Sequence, residues 1–397
     1  MSPDLPDPIR ARAAARLRTG EAWADFCDTL KELGDVVSRE ATSELEQAEG
    51  YRYLTRLLRN SLERFVENSE EYRPRVLDPP WRVSIAIQSP DQDHPLIEVD
   101  GTREYRITGT RGTVGYGSFL ALASLVPDDA GATAAAHPVG SDLGRFDPTA
   151  FRPTGFLTVH DLEFGADGAF EIIAGPRERP GNWLRFEADT RFVMIRQTFF
   201  DRAVEVPMTL TVELVDPEPV RPIRADEVAR NLAITAQNVV GSTTRFLHWA
   251  RQLASTPNTL TRIDPEYRDA GGSPDHLMYF GYWELAPGEA LEVRARLPGN
   301  DSWNFQTCSW WAENFDSYED GGGYLTKRTA TVEPDGEVVM LLGPETVDHP
   351  NRIDTFGHTR GTMNLRIVHP TGDDAMVTTR VVPVVGPNPD ATPRPEA

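Results

Sequence analysis

Cysteine is scarce in this chain. Cys27 and Cys308 are the two thiols in 397 residues, too few and too far apart for a disulfide framework, a zinc site or a Cys-x-x-Cys redox pair. A reducing compartment is the expected setting. Positive charge is short as well: 40 Lys and Arg stand against 61 Asp and Glu, a formal net charge of -21. Nucleic-acid backbones are held by clustered Lys and Arg that release counterions, so that partner class is disfavoured. No apolar run approaches the roughly 20 residues of a membrane helix. The stretch MSPDLPDPIRARAAARLRTG lacks the continuous apolar core of a signal peptide. The expectation is a cytoplasmic protein with neither a nucleic-acid nor a membrane partner. Catalytic signatures are sparse too. Neither Cys308 nor Ser309 sits in a nucleophile elbow. The Gly-rich GTRGTVGYGS at 109–118 lacks phosphate-loop spacing and reads as tight turns or bulges.

What is present builds a core. Hydrophobic residues make up 39% of the chain, and a length of 397 exceeds what one core usually supports, so two domains or lobes are expected. The 31 Gly and 32 Pro imply many turns and argue against a mostly helical protein. Residues 20–68 have helical period, with Leu54, Leu57, Leu58, Leu62, Phe65 and Val66 on one stripe. From Trp81 the period becomes two. VPMTLTVEL sets Val206, Met208, Leu210, Val212 and Leu214 against Thr209, Thr211 and Glu213, and EVRARL sets Val293, Ala295 and Leu297 against Glu292, Arg294 and Arg296. Such alternation belongs to half-buried antiparallel strands. Asp100-Gly101, Asp167-Gly168 and Asp335-Gly336 read as hairpin turns. Residues 224–254 are helical, with Gly241 as a break.

The predicted fold is mainly β: two antiparallel jelly-roll-like β-sandwich lobes with an N-terminal helix and a helical bridge. The expected division is 1–75 helical, 76–222 first lobe, 223–275 bridge, 276–385 second lobe and 386–397 a Pro-rich disordered tail. No internal sequence repeat is evident.

The C-terminal motifs carry a resemblance. APGEALEVRARLPGNDSWNFQTCSWWAENFD, VEPDGEVVMLLG and NRIDTFGHTRGTMNLRIV resemble the signature of a bacterial family catalogued as domain of unknown function 1214, through Pro298, Trp303, Asn304, Phe305, Gln306, Trp311, Glu313, Asn351, Asp354, Gly357, His358, Gly361 and Thr362. Upstream, YRITGTRGT, GNWLRF and MIRQTFFD are similar to the N-terminal half of single-chain relatives, so the resemblance spans about residues 45–370. It implies jelly-roll sandwiches, often paired, and no assigned activity. Arg352 stands where relatives commonly carry Trp.

The polar knot NRIDTFGHTRGT is the densest chemistry in the sequence. Asp354 and His358 lie four apart, a spacing that would let the carboxylate fix the imidazole tautomer for acid/base work. The alternative is a turn-capping Asp and a backbone-bound His. His349 with these two would form a two-His, one-carboxylate metal set, though Pro350 holds His349 extended. On the strand of WNFQTCSWWAENFD, Trp303, Phe305 and Thr307 face one way and Asn304, Gln306 and Cys308 the other. The two amides either tie down the knot or point at a substrate. Glu313, among Trp310, Trp311 and Phe315, is a third acid/base candidate or a plain surface acid.

The favoured reading is an acid/base enzyme (hydrolase, lyase or isomerase) without organic cofactor or metal, acting on an apolar small molecule such as a terpenoid, steroid or lipid-like compound. His358, Asp354 and Glu313 would do the chemistry. Asn304, Gln306, Arg360, Asn351, Trp303, Trp311, Asn182 and Trp183 would bind substrate. A sandwich that binds carbohydrate or a hydrophobic ligand without turnover, or a structural homo-oligomer, would share these features.

Overall fold

The computed structural model describes residues 7–68, 73–77, 87–124, 151–269, 271–315, 321–344, 347–372 and 374–384. Trp81, where strand period is expected to begin, and the tail 386–397 lie outside them. The chain divides into two compact units. The N-terminal one comprises Met1–Ala86, Asp91–Phe246 and Pro265–Pro274; the C-terminal one comprises Ile87–Pro90, Leu247–Asp264 and Asp275–Ala397.

The N-terminal helical segment is three helices rather than one: α1 (Asp7–Arg18), α2 (Glu21–Glu40) and α3 (Glu44–Leu62), continued by a π turn over Glu63–Glu67. Ser43 starts α3, its hydroxyl accepting from the Glu46 amide at 3.1 Å, while the Glu46 carboxylate accepts from the Thr42 amide at 2.7 Å. Two otherwise orphaned donors are thereby satisfied. The leucine stripe does its expected work. Leu58, Leu62 and Val66 pack with Phe26 of α2 against Leu232 and Ala236 of α4 (Ala225–Leu253). Leu58→Asp places a charge in this contact and is expected to cost about 2–4 kcal/mol; urea unfolding checks it, and a variant as stable as the parent would mean the face is solvated.

Helix α4 corrects one expectation. It runs unbroken through Gly241, because Gly241, Ser242 and Thr243 are buried and packing outweighs the ~1 kcal/mol that a mid-helix Gly costs. The bridge is also not a module of its own, since its residues are shared between the two units.

In the N-terminal unit, β2 (Leu96–Glu98), β8 (Thr190–Thr198), β4 (Tyr116–Ser124) and β5 (Phe151–Thr158) form one sheet in that order, with β1 (Gln92–Asp93) also on β8. The facing sheet runs β7 (Trp183–Arg185), β6 (Ala169–Gly175), β3 (Tyr105–Thr110), β9 (Thr209–Leu214). Phe119 of β4 meets Phe170 of β6 edge to face, ring centres 5.8 Å apart, between the layers. In the C-terminal unit, β10 (Thr259–Arg262), β11 (His276–Glu284), β17 (Arg360–Val368), β13 (Ser302–Cys308) and β14 (Tyr324–Thr326) face β16 (Arg352–Asp354), β15 (Val338–Gly343), β12 (Glu289–Arg296) and β18 (Met376–Pro383). Their core is built from Tyr279, Trp283, Phe305, Leu365 and Ile367 of one sheet and Leu291, Val293, Met340, Leu342 and Ile353 of the other.

The two units share one topology. Strands β2 to β9 correspond in chain order to β11 to β18: β5-β4-β8-β2 matches β14-β13-β17-β11, and β7-β6-β3-β9 matches β16-β15-β12-β18. Both contain one parallel pair in otherwise antiparallel sheets, β6 with β7 and β15 with β16. The hydrogen bonds match as well. Gly165 N–H donates to the Ala169 carbonyl and Glu333 N–H to the Glu337 carbonyl, each closing an Asp-Gly turn whose Gly has φ near 80°. The Asp-Gly pairs are therefore turns, but none joins strands paired in a sheet; the chain crosses between layers at each, as a jelly roll requires. At Gly101 the glycine serves close approach instead, since a Cβ there would lie 2.0 Å from the Glu187 carbonyl.

Candidate functional site

Among the described residues, Asn351, Arg352 and Asp354 of the knot at 351–362 direct their hydrogen bonds to backbone groups and to one another. Asn351 is buried, and its side chain closes three hydrogen bonds: Oδ1 accepts from Thr331 N–H (2.7 Å), and Nδ2 donates to the carbonyls of Thr331 (2.7 Å) and Val339 (2.8 Å). Asn182 does the same in the other unit. It accepts from Glu163 N–H at 2.8 Å and donates to the Glu163 and Glu171 carbonyls at 3.0 Å each. These residues hold the entry to the parallel strand in each lobe, which accounts for both without a ligand. Trp183 donates its indole N–H to the Gly175 carbonyl at 3.1 Å, part of the same frame.

Asp354 and His358 are held apart by the turn between them. Thr355 to His358 form a tight turn closed by His358 N–H to the Thr355 carbonyl (2.9 Å), with Phe356 at φ 48 and Gly357 at φ 81. The spacing of four is thus not a helical spacing. Asp354 Oδ1 accepts from Phe356 N–H and Oδ2 from Arg352 Nη1, both at 2.7 Å. Arg352 is its counter-ion. The imidazole sends Nδ1 to the Thr355 carbonyl at 2.9 Å and stacks on Phe315 at 4.6 Å. His349 Nδ1 accepts from the Asn351 amide (3.1 Å), and among the described residues His349, Asp354 and His358 do not gather as a set that could hold a metal.

The two amides lie on the other side of the sheet from this knot. Thr307, on the inward face of β13 with Trp303 and Phe305, reaches the Asp354 carbonyl at 3.5 Å; Asn304 and Gln306 alternate to the outward face. Trp303 is accordingly a core residue. The outward face holds Asn304, Gln306 and Cys308 on β13 beside Arg366, Asn364 and Thr362 on β17, then Met278, Phe280 and Tyr282 on β11. All nine are buried. An outward sheet face ordinarily meets water, so something must cover it. The segment Ile87–Pro90 does so in part: Asn304 Nδ2 donates to Ser89 Oγ (2.9 Å), Asn314 Nδ2 to the Gln88 carbonyl (2.8 Å), and Ile87 N–H to the Ala312 carbonyl (2.8 Å). Ile87 and Ala312 both adopt left-handed backbone, φ 58 and 56, which is costly for side chains with a Cβ and persists only when surroundings enforce it. Trp249 near the end of α4 packs on Phe280 at 5.9 Å.

At one end stand Arg360, its guanidinium 4.2 Å from the Trp310 ring centre, and Tyr282, whose hydroxyl donates to Glu284 at 3.1 Å. Burial, reinforced by Glu284, pushes the Tyr282 phenol up to about 12. Burial drives the Cys308 thiol up too, with Glu313 adding to the rise and Arg366 opposing it, so the thiol is neutral and no nucleophile at physiological pH. Those influences also place Glu313 and Arg366 near Cys308. Glu313 itself is buried, against the surface-acid alternative. Trp311 is buried in the same Ser309–Phe315 loop.

Arg366 and Asn364 are the residues that the sequence reading misses. Among the described residues, Arg366 Nε and Nη1, both polar atoms of the Asn364 side chain and Gln306 Oε1 have no hydrogen-bond partner. Arg366 makes no ion pair there, and its one bond is a long 3.4 Å donation to the Ile87 carbonyl. The N-terminal unit carries an equally buried Arg, Arg196, at the matched position, its Nη2 donating to the Gly271 carbonyl, so a buried guanidinium is common to both lobes and the difference lies in its neighbours. Strands β8 and β17 are each nine residues long with Arg at the seventh, and the ladders match: Ser118–Arg196, Leu120–Met194 and Leu122–Phe192 in one, Asn304–Arg366, Gln306–Asn364 and Cys308–Thr362 in the other. Where one lobe carries Leu120, Met194, Leu122 and Phe192, the other carries Gln306, Asn364, Cys308 and Thr362.

No protein-family model matches the chain, and no curated protein does. A solved structure of an uncharacterised protein from Burkholderia cenocepacia is 33% identical, covers 94% of this chain and 99% of its own, and superposes with a TM-score of 0.84. The chain belongs to that protein's family. The VPA0106 protein from Vibrio parahaemolyticus covers 90% of this chain and 99% of its own at 10% identity and a TM-score of 0.43, too distant to bear on fold or chemistry. Among the described residues no helix is long and apolar enough to cross a membrane.

Proposed function

We propose that this chain is an acid/base enzyme, working without an organic cofactor, that takes an apolar small molecule carrying a polar oxygen onto the outward face of β13, β17 and β11. One observation carries the reading: beside an Arg common to both lobes, four buried positions that are apolar in one lobe are Gln306, Asn364, Cys308 and Thr362 in the other, with amide groups left unpaired among the described residues. Buried polar groups without partners are destabilising, so their presence where Leu and Met suffice points to a role outside the fold. Arg366, Asn364 and Gln306 would orient the substrate, with Phe280, Met278 and Tyr282 against its apolar part. Glu313 is the proton-transferring group of this face, replacing His358, which lies across the sheet. Terpenoid, steroid and fatty-acyl compounds bearing ester, hydroxyl or carbonyl groups are the substrate class. We also read the chain as related to the family of domain of unknown function 1214, on the motif residues given above.

Glu313→Gln tests the chemistry. Turnover of any such compound is expected to fall by about 10² or more with binding retained, the size of a lost general acid/base. Unchanged turnover would remove Glu313 from the chemistry, and binding without turnover in the parent would make the face a receptor rather than an active site.

A further inference from the structure

Resting on that reading of the face, we propose that its ligand is a carboxylate, with Arg366 as counter-ion, Asn364 and Gln306 beside it, and an apolar body lying towards Phe280 and Met278. Arg366 is 4% exposed, yet its recorded partner among the described residues is one carbonyl at 3.4 Å. A guanidinium so far from water, with Nε and Nη1 lacking partners among the described residues, is strongly unfavourable and calls for a charged acceptor. Guanidinium suits a carboxylate because its planar N–H array donates to both oxygens. Asn364 lies two residues along β17, about 7 Å away on the same face, and Gln306 is its cross-strand partner. Their unpaired amides suit the second oxygen or a neighbouring hydroxyl. Charge count selects a carboxylate over a phosphate. A single guanidinium matches one negative charge with one planar N–H array, whereas phosphate sites gather several N–H donors and basic groups. The β11 side supplies the apolar wall, since Phe280 pairs with Asn364 and Met278 with Arg366.

The experiment is calorimetric titration of the full chain with octanoate and phenylacetate, with octanamide and phenylacetamide as uncharged counterparts, and with inorganic phosphate. The parent is expected to bind the carboxylates at least about tenfold more tightly than the amides and than phosphate, the factor that a charge-assisted contact provides. Arg366→Met is expected to erase that preference while melting no lower than the parent, because it removes a buried charge. Amides binding as well as carboxylates, phosphate binding better, or no carboxylate binding at millimolar concentration each overturn the proposal. So does an Arg366→Met variant that keeps the preference, or one that melts lower while the parent shows no preference. Should Arg366→Met fail to fold, the carboxylate-to-amide ratio in the parent and in Asn364→Met decides. If neutral esters or alcohols bind the parent and are lost in Gln306→Leu/Asn364→Met, the face is a ligand site but not a carboxylate site. If nothing binds, the face itself is not a ligand site.

Discussion

Gln306→Leu/Asn364→Met, which gives the outward face of the C-terminal lobe the residues that Leu120 and Met194 supply in the other, is expected to raise the melting temperature and abolish ligand binding. Gln306 Oε1 and both polar atoms of Asn364 are buried without partners among the described residues, and each such group costs roughly 1–3 kcal/mol. Replacing two polar side chains by apolar ones removes that penalty and adds apolar burial, each CH₂ contributing about 0.8 kcal/mol. Overpacking offsets part of it, as Met is larger than Asn. The net is a gain of about 1–3 kcal/mol, or several degrees in Tm for a unit of this size. Scanning calorimetry and ligand titration on the same sample decide the matter. A Tm that falls by several degrees would show that the amides hold the sheet together, and the face would revert to architecture.

Asn351→Leu should have the opposite signature: a large loss of stability and no specific effect on ligand binding in the fraction that folds. Its side chain is 1% exposed and serves three backbone groups, Thr331 N–H, Thr331 C=O and Val339 C=O. The Val339 carbonyl is left buried and unpaired, while water can take up part of the two bonds to the exposed Thr331, so the loss is expected to be about 2–4 kcal/mol. Asn182→Leu removes the matching bonds in the other lobe, but Asn182 is half-buried and water can replace part of what is lost, so its cost should be about half. Urea unfolding of both variants tests the ratio. Equal, small effects would mean that these asparagines are not the struts of the parallel strands, and the binding role first assigned to them would reopen.

The architecture was largely legible because period survives context. EVRARL and TLTVEL alternate as expected in β12 and β9, whereas Val206 lies ahead of β9 and is exposed, and the leucines of α3 find their helices. What alternation cannot report is the cover over a face. Thr362, Asn364 and Arg366 alternate with Met363, Leu365 and Ile367, a pattern indistinguishable from a solvated outer face. Nothing local reveals that chain from far upstream buries it, so the sequence reading passes over the most unusual side chains in the molecule. The knot draws attention for the reverse reason. Polar density in a loop looks like chemistry, yet Asn351, Asp354 and Arg352 spend their hydrogen bonds on backbone and on one another. The duplication is hidden at residue level because the matched cores are conserved in shape rather than identity; the Asp-Gly turn followed by the strand-opening Asn182 or Asn351 was the one local trace.

The bond from Asn304 to Ser89 spans 215 residues. Loops of that length close late, after nearer contacts have formed, because the entropy of bringing their ends together is offset only once both ends are already structured. The face at Asn304, Gln306, Asn364 and Arg366 is therefore among the last parts of the molecule to be completed. Its eight strands, 276–383, can satisfy their own ladders without Ile87–Pro90, but they cannot enclose the face. Truncation or cleavage between residues 90 and 247 would leave a sandwich with its polar groups open to water. The enclosure of this face is then a property of the unbroken chain, and a newly made chain acquires it only when synthesis and folding are both finished.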